Sequence, residues 1–157
     1  MKNPLAVLRA LGVGALLLFL LMVAILQWKI APYVAFLPQA TLGAYTDSAL
    51  VELGDELRTK GLDRLYKAVL LSIDFLFITI FGLWVMLVHM MRSAVSWRFW
   101  GVAIAALFMA LDFGEDMMLA IRMGLATKGN LDPAKLTAEV SAVHWVTLAK
   151  YAIFALC

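Results

Sequence analysis

Seven polar side chains between residues 74 and 150 could do chemistry, because they interrupt segments that are otherwise apolar. Carboxylates, an imidazole and an amine can exchange protons, hold a polar ligand or neutralise one another as ion pairs. Ionisable groups inside an apolar span are costly, so they normally meet in the protein interior or line a cavity. These candidate site residues are Asp74, Asp112, Glu115, Asp116, His144, Thr147 and Lys150.

Residue counting along the predicted helices brings these groups to a similar depth. At 1.5 Å per residue, Asp74, Asp112 and His144 each lie ~10 Å below the outer boundary of a ~30 Å apolar core. Lys150 lies ~9 Å deeper than His144, a distance that its flexible stem can partly span. The sequence therefore predicts a buried polar cluster, with Asp116 and Arg122 at its mouth.

Two interpretations of this cluster remain open. In the first, the charges neutralise one another and hold the helices together. In the second, the cluster lines a cavity that opens to the outer side, with His144 or Glu115 as a proton acceptor.

The composition indicates where these segments reside. Of the 157 residues, 64% are hydrophobic and 15% charged, which excludes an ordinary soluble domain and a disordered chain. The net charge of +2 and the lack of a basic run argue against nucleic-acid binding. The single cysteine, Cys157, excludes an intrachain disulfide framework and is expected to be inert.

The apolar segments predict one membrane domain over residues 1–157. The fold class is an all-α membrane protein, an antiparallel four-transmembrane-helix bundle, because lipid offers the backbone no hydrogen-bond partner. The first span lacks a cleavage site and an ionisable residue in its core, and is expected to be a retained, lipid-facing anchor. The spans cover about residues 10–31, 67–91, 97–122 and 137–157.

The third predicted span carries two contrasting faces. Its acids lie on one side, and Ala106, Ala110 and Gly114 form a small-residue series on the other. Such a series lets a second helix approach closely. We therefore expect this span to be central and contacted on both faces.

The outer loop is predicted to hold a short amphipathic helix over residues 46–60. Thr46 begins an N-cap cluster, Leu50, Leu53 and Leu57 share one face, and Gly61 follows the last turn. This mainly acidic helix is expected to cap the outer end of the bundle. The loop at 124–136 is expected to be a turn without chemistry.

Basic residues set the expected orientation. The side that holds only Lys2, Arg9, Arg92 and Arg98 should be cytoplasmic, which puts both termini inside.

Known catalytic and metal-binding patterns are missing from the sequence. His89 and His144 lie more than ~20 Å apart along the membrane normal and cannot ligate one haem. No HExxH, di-iron, phosphate-loop or nucleophile-elbow pattern occurs, so no metal site and no cofactor are predicted.

Several short motifs resemble an uncharacterised family of small bacterial four-helix integral membrane proteins. They are Gly61-Leu62-Asp63-Arg64-Leu65-Tyr66, Asp74-Phe75-Leu76-Phe77, Asp112-Phe113-Gly114-Glu115-Asp116 and Lys150. The family tends to have Asn where this chain has Asp116. The resemblance implies a bacterial inner-membrane address, picks out Asp74, Asp112, Glu115 and Lys150, and implies no activity.

Three functions fit this pattern. The leading expectation is a non-enzymatic accessory or structural subunit, with the lipid bilayer and a membrane-protein partner or a second copy as its partners. The alternative is a membrane enzyme or a binder of a lipid or quinone through the Asp112, Glu115 and His144 cavity. The third is a proton-coupled carrier, which the lack of broken spans and inverted repeats disfavours.

Overall fold

The computed structural model of this chain describes residues 3–41, 43–92, 94–124 and 140–155. Over these residues the chain is helical, apart from turns and one isolated antiparallel bridge between Thr46 and Val140. Apart from Gly124, the predicted turn at 124–136 lies outside the described residues, as do Cys157 and the first three residues of the span predicted at 137–157. The helix of that span begins at Ala142, later than predicted, because Val140 forms the bridge and Ser141 is the N-cap.

Two continuous helical stretches are long and apolar enough to cross a membrane. The first comprises α1 (Pro4–Ile25), a π-helical segment (Leu26–Ile30) and a 3-10 turn (Ala31–Tyr33). The second comprises α3 (Asp63–Ala68), a π-helical segment (Val69–Asp74) and α4 (Phe75–Arg92). Each π-helical segment changes the angular position of the residues that follow it. By length and apolarity, these two stretches are the candidate membrane spans among the described residues.

Two further helices carry the candidate site residues other than Asp74. Helix α5 (Val95–Arg122) contains Asp112, Glu115 and Asp116, and α6 is described over the 13 residues Ala142–Phe154. Neither adds a further candidate span in the described residues. Roughly 20 apolar residues are needed to cross a bilayer, and the 13 residues of α6 are fewer than that.

The long helices pack in the order α1, α4, α5, α6. Helix α1 packs on α4, α4 on α5, and α5 on α6, whereas α1 and α6 make at most a marginal contact. Glycines bring α4 and α5 close together: Gly82 faces the Met109 side chain, and Gly101 faces the His89 ring. The result is an open arrangement, with a gap between its first and last members.

The small-residue face of α5 is open in the described structure. Ala106 and Ala110 are exposed, and a side chain added at Gly114 would meet nothing within 4 Å. The expectation that α5 is contacted on this face is therefore wrong for the described part of the chain. The physical reason is that α4 and α6 both pack on the side of α5 that carries the acids and Ala105.

The short helix that follows the first apolar stretch lies against one end of the packed helices. Helix α2 (Asp47–Thr59) begins at the N-cap Thr46, whose side chain accepts a hydrogen bond from the Ala49 amide at 3.2 Å. Leu50, Leu53 and Leu57 are at most 1% exposed. Gly54 lies directly on the Met123 carbonyl, where no side chain would fit. This helix therefore packs on the other helices through its leucine face.

Candidate functional site

The Lys150 ammonium forms the charged centre of the site. It lies 2.8 Å from Asp112 Oδ1 and also pairs with Glu115 Oε2. Lys150 is 8% exposed, Asp112 3% and Glu115 fully buried. These pairs join α6 to α5, because Lys150 belongs to α6 and both acids belong to α5.

A chain of hydroxyl groups runs from this centre to the outer loop. The Thr147 hydroxyl donates to Glu115 Oε1 at 2.6 Å and lies 3.2 Å from the Tyr45 hydroxyl. A hydroxyl group has one proton to donate. Because Thr147 donates its proton to Glu115, the Tyr45 hydroxyl is the donor in the hydrogen bond between Tyr45 and Thr147. Burial raises the pKa of the Tyr45 hydroxyl above its usual range, and the contact with Thr147 opposes that shift. Tyr45 thereby connects the outer segment to the Lys150 pairs.

Asp74 and Asp116 form the acidic side of the site. Asp74 ends the π-helical segment and is 5% exposed, and Asp116 is 1% exposed. Neither carboxyl oxygen of Asp116 has a hydrogen-bond partner among the described residues. Asp74 interacts with Asp116 and Asp112, whereas Lys150 is farther from it than an ion pair requires. These two acids therefore lack a cation of their own.

His144 lies apart from the acidic residues that surround Lys150. Its ring packs edge-on against Tyr45, with the centroids 5.3 Å apart, and contacts Trp145. Its Nδ1 has no hydrogen-bond partner among the described residues. All seven candidate residues are buried, and Lys150 rather than His144 is the basic group that contacts the acids.

A separate ion pair holds the outer cap in place. Arg122 Nη1 lies 3.0 Å from Asp47 Oδ2, and the Ser141 hydroxyl donates to Asp47 Oδ1 at 2.5 Å. The Ser141 amide donates to the Tyr45 carbonyl at 2.9 Å. Arg122, assigned from the sequence to the mouth of the cluster, thus binds α2 rather than the Lys150 pairs.

A cavity of about 620 Å³ occupies the gap between α1 and α6. Asp74, Asp112 and Lys150 line its polar end. Most other lining residues are apolar or aromatic and come from four helices; they include Ala15, Phe19, Phe77, Phe81, Trp84, Phe108 and Phe154. The buried polar cluster is thus open on one side to an apolar space.

The segment between α1 and α2 roofs this cavity. Leu37, Gln39 and Ala40, in and next to a 3-10 turn, line it from the outer side. The Tyr66 hydroxyl donates to Gln39 Oε1 at 2.8 Å, and the Tyr151 hydroxyl donates to the Gln39 carbonyl at 2.9 Å. Two tyrosines from different helices therefore fix the roof above the polar end.

Sequence reasoning overlooked Tyr45, Gln39 and Tyr151. Each lies in a loop or beside a charged residue, and no helical periodicity marks it. The one available signal was the position of Tyr151 directly after Lys150 on an otherwise apolar helix. The cavity had no signal, because it results from the angle between helices that are distant in sequence.

Comparison with known proteins adds no homologue to this description. No family model, curated protein or solved structure matches the chain. The described residues also contain no group of three or more His, Cys, Asp or Glu side chains that could hold a metal ion. The site must therefore be interpreted from its own geometry.

Proposed function

We propose that this chain is a four-span membrane protein that binds an amphipathic, lipid-like molecule between α1 and α6. The observation that carries the proposal is the cavity of about 620 Å³, with an apolar wall and Asp74, Asp112 and Lys150 at one end. Sites for small molecules are typically concave, mostly apolar and equipped with a few polar groups that orient the ligand.

The exposed surface supports a membrane location for all four long helices. Only 11% of the most apolar stretch of the first candidate span is buried. Large apolar side chains are also exposed on the other two helices, including Phe99 and Leu107 on α5 and Trp145 and Phe154 on α6. Contiguous apolar surface of this kind is unfavourable in water and favourable in lipid.

The gap between α1 and α6 supports entry from within the bilayer. Leu16 and Phe19 on α1, and Phe154 on α6, line the cavity and are more than 40% exposed. A ligand that diffuses in the acyl-chain region can therefore reach the cavity sideways. A molecule dissolved in water would have to pass the roof formed by Gln39.

Fluorescence quenching tests this proposal. Trp84 lines the cavity, and replacement of the other four tryptophans by Phe leaves it as the single reporter in lipid nanodiscs. A brominated single-chain amphiphile should quench Trp84 at a low, saturable mole fraction, and an unbrominated analogue should reverse the quenching. Quenching that rises only in proportion to bulk brominated lipid would contradict the proposal.

A filled cavity provides the matched variant. Ala15→Phe adds a ring at a cavity position that is 3% exposed and should abolish saturable quenching. Ala149→Phe makes the same change at an exposed position of α6 and should leave it intact. Equal quenching of both variants would place the amphiphile outside the cavity.

The open face of α5 favours a second candidate function, as an accessory subunit that packs against another membrane helix. Ala106, Ala110 and Gly114 form a small-residue surface with free space in front of it. Cysteine crosslinking at Ala110 in membranes, in a background without Cys157, tests for a second copy. A chain that stays uncrosslinked and monomeric on native gels would count against a homo-oligomer.

A further inference from the structure

The cavity combines a hydrophobic channel with an acid that no cation neutralises. Asp74 is 95% buried, and its carboxyl lies at the polar end of the cavity. No cation in the described residues lies within ion-pair distance of it: Lys150 acts on Asp74 from farther away, and Asp74 also interacts with the Asp112 and Asp116 carboxyls. A buried carboxyl in this position is available to a ligand.

Acidic groups outnumber basic groups around the polar end of the cavity. Four buried carboxyls, those of Asp74, Asp112, Glu115 and Asp116, lie around it, and in the described part of the chain Lys150 is the only ammonium that contacts any of them. That ammonium is already engaged by Asp112 and Glu115. An isolated charge in a dry environment is costly unless a partner or a proton neutralises it. A second positive charge would therefore be favourable beside Asp74.

The aromatic lining adds to this preference. Asp74 is the last residue of the π-helical segment, and Phe77, Phe81 and Trp84 follow it along the face of α4 that borders the cavity. Aromatic faces attract cations, and the same rings provide apolar contact for an acyl chain. The stretch from Asp74 to Trp84 measures ~15 Å along the helix, which gives room for a chain below the head.

We propose that the cavity selects a single-chain amphiphile with a positively charged amine headgroup, which pairs with Asp74. This inference rests on the proposed lipid-binding function and specifies its ligand class. The amine donates to the Asp74 carboxylate, and the chain lies along Phe77, Phe81 and Trp84. An anionic head is disfavoured, because Lys150 has no positive charge to spare.

Three brominated amphiphiles of equal chain length test this inference. Their heads are a primary amine, an uncharged alcohol and a sulfate, and quenching of Trp84 in nanodiscs reports binding of each. The full-length chain should bind the amine at least roughly tenfold more tightly than the alcohol, because a charge-assisted hydrogen bond in a dry site is strong. The sulfate should bind most weakly.

A pair of neutralising variants separates a local effect of Asp74 from a general effect of surface charge. Asp74→Asn should abolish the preference for the amine while it leaves binding of the alcohol intact, which also shows that the variant folds. Asp74→Glu should retain the preference. Glu52→Gln removes an equal charge from an exposed position of α2 and should change nothing.

The outcomes distinguish this inference from the function on which it rests. Equal binding of amine and alcohol, or a preference that survives in Asp74→Asn, overturns the assignment of the headgroup but not the lipid-binding function. Loss of the amine preference in Glu52→Gln also overturns it. Saturable quenching by none of the three amphiphiles overturns both proposals.

Discussion

The Lys150 ammonium lies 2.8 Å from Asp112 Oδ1, and this contact joins α6 to α5 at the polar end of an apolar cavity. Glu115, which is fully buried, forms the second ion pair with Lys150. Asp112 and Lys150 line the cavity, whereas Glu115 faces Thr147 and the outer loop. One lysine thus connects the helix interface, the cavity and the cap.

Loss of the Lys150 charge should strongly destabilise the protein. Lys150→Met leaves Asp112 and Glu115 buried without a counter-charge, and removal of one partner from a buried pair costs about 3–5 kcal/mol. Unfolding by a denaturing detergent in mixed micelles would measure the loss. Lys67→Met is the control, since Lys67 is exposed; equal stability of the two variants would contradict the role of the pair.

Removal of Asp47 should loosen the cap more than removal of an exposed acid of the same helix. Asp47→Ala deprives Arg122 and Ser141 of their partner and is expected to cost about 2 kcal/mol, since the carboxylate is 5% exposed. Asp55→Ala breaks only the exposed pair with Arg58 and should cost less than about 1 kcal/mol.

Limited proteolysis at outer-loop sites provides the measurement for this pair of variants. We expect faster cleavage near α2 in Asp47→Ala than in the natural chain. The Asp55→Ala chain should be cleaved at the natural rate. Equal cleavage of the two variants would show that the Arg122 contact does not hold α2 in place.

Gly54 and Gly114 provide a matched test of helix approach. Gly54→Ala places a methyl group on the Met123 carbonyl and should destabilise the protein by about 2 kcal/mol, since overpacking shifts the backbone. Gly114→Ala meets open space and should stabilise helix α5 by up to about 1 kcal/mol. Thermal unfolding in micelles would compare them, and a loss at Gly114 would instead indicate an occupied face.

Tyr45 should make the stability of the cap dependent on alkaline pH. Burial raises the pKa of its hydroxyl, so the folded state favours the neutral form. This contribution is complete below the ordinary tyrosine pKa of about 10 and is lost as the pH rises through the higher value of the folded state. At neutral pH, Tyr45→Phe should be about 1 kcal/mol less stable than the natural chain, because it lacks the contact with Thr147. Above pH 10 this difference in stability should become smaller.

Unfolding midpoints between pH 7 and pH 11 provide the measurement. Tyr33→Phe serves as the control, because Tyr33 is 56% exposed. Its pH profile should parallel that of the natural chain. A Tyr45→Phe deficit that is constant over this range would rule out the burial of the hydroxyl as a cause of pH dependence.

The elements of the fold were more accessible from the sequence than their packing. Caps such as Thr46, the leucine spacing of α2 and the long apolar runs are local features, and local features determine where helices form. The expected contact on the Ala106 and Ala110 face was wrong, because small residues permit close packing without specifying a partner. The two π-helical segments also left no periodic signal, since each alters the register by a small local change in hydrogen bonding.

The amino-acid sequence by itself determined that this chain is helical, that much of its surface is apolar and that its few charges inside apolar segments need partners. These properties follow from residue types and spacing along single helices. Only the tertiary structure decided that Lys150 meets Asp112 and Glu115, that Asp74 faces the cavity with no cation in ion-pair distance among the described residues, and that Gln39 covers the cavity. Those relationships depend on the angles at which distant helices cross, and the crossing angles depend on side-chain packing across the whole molecule.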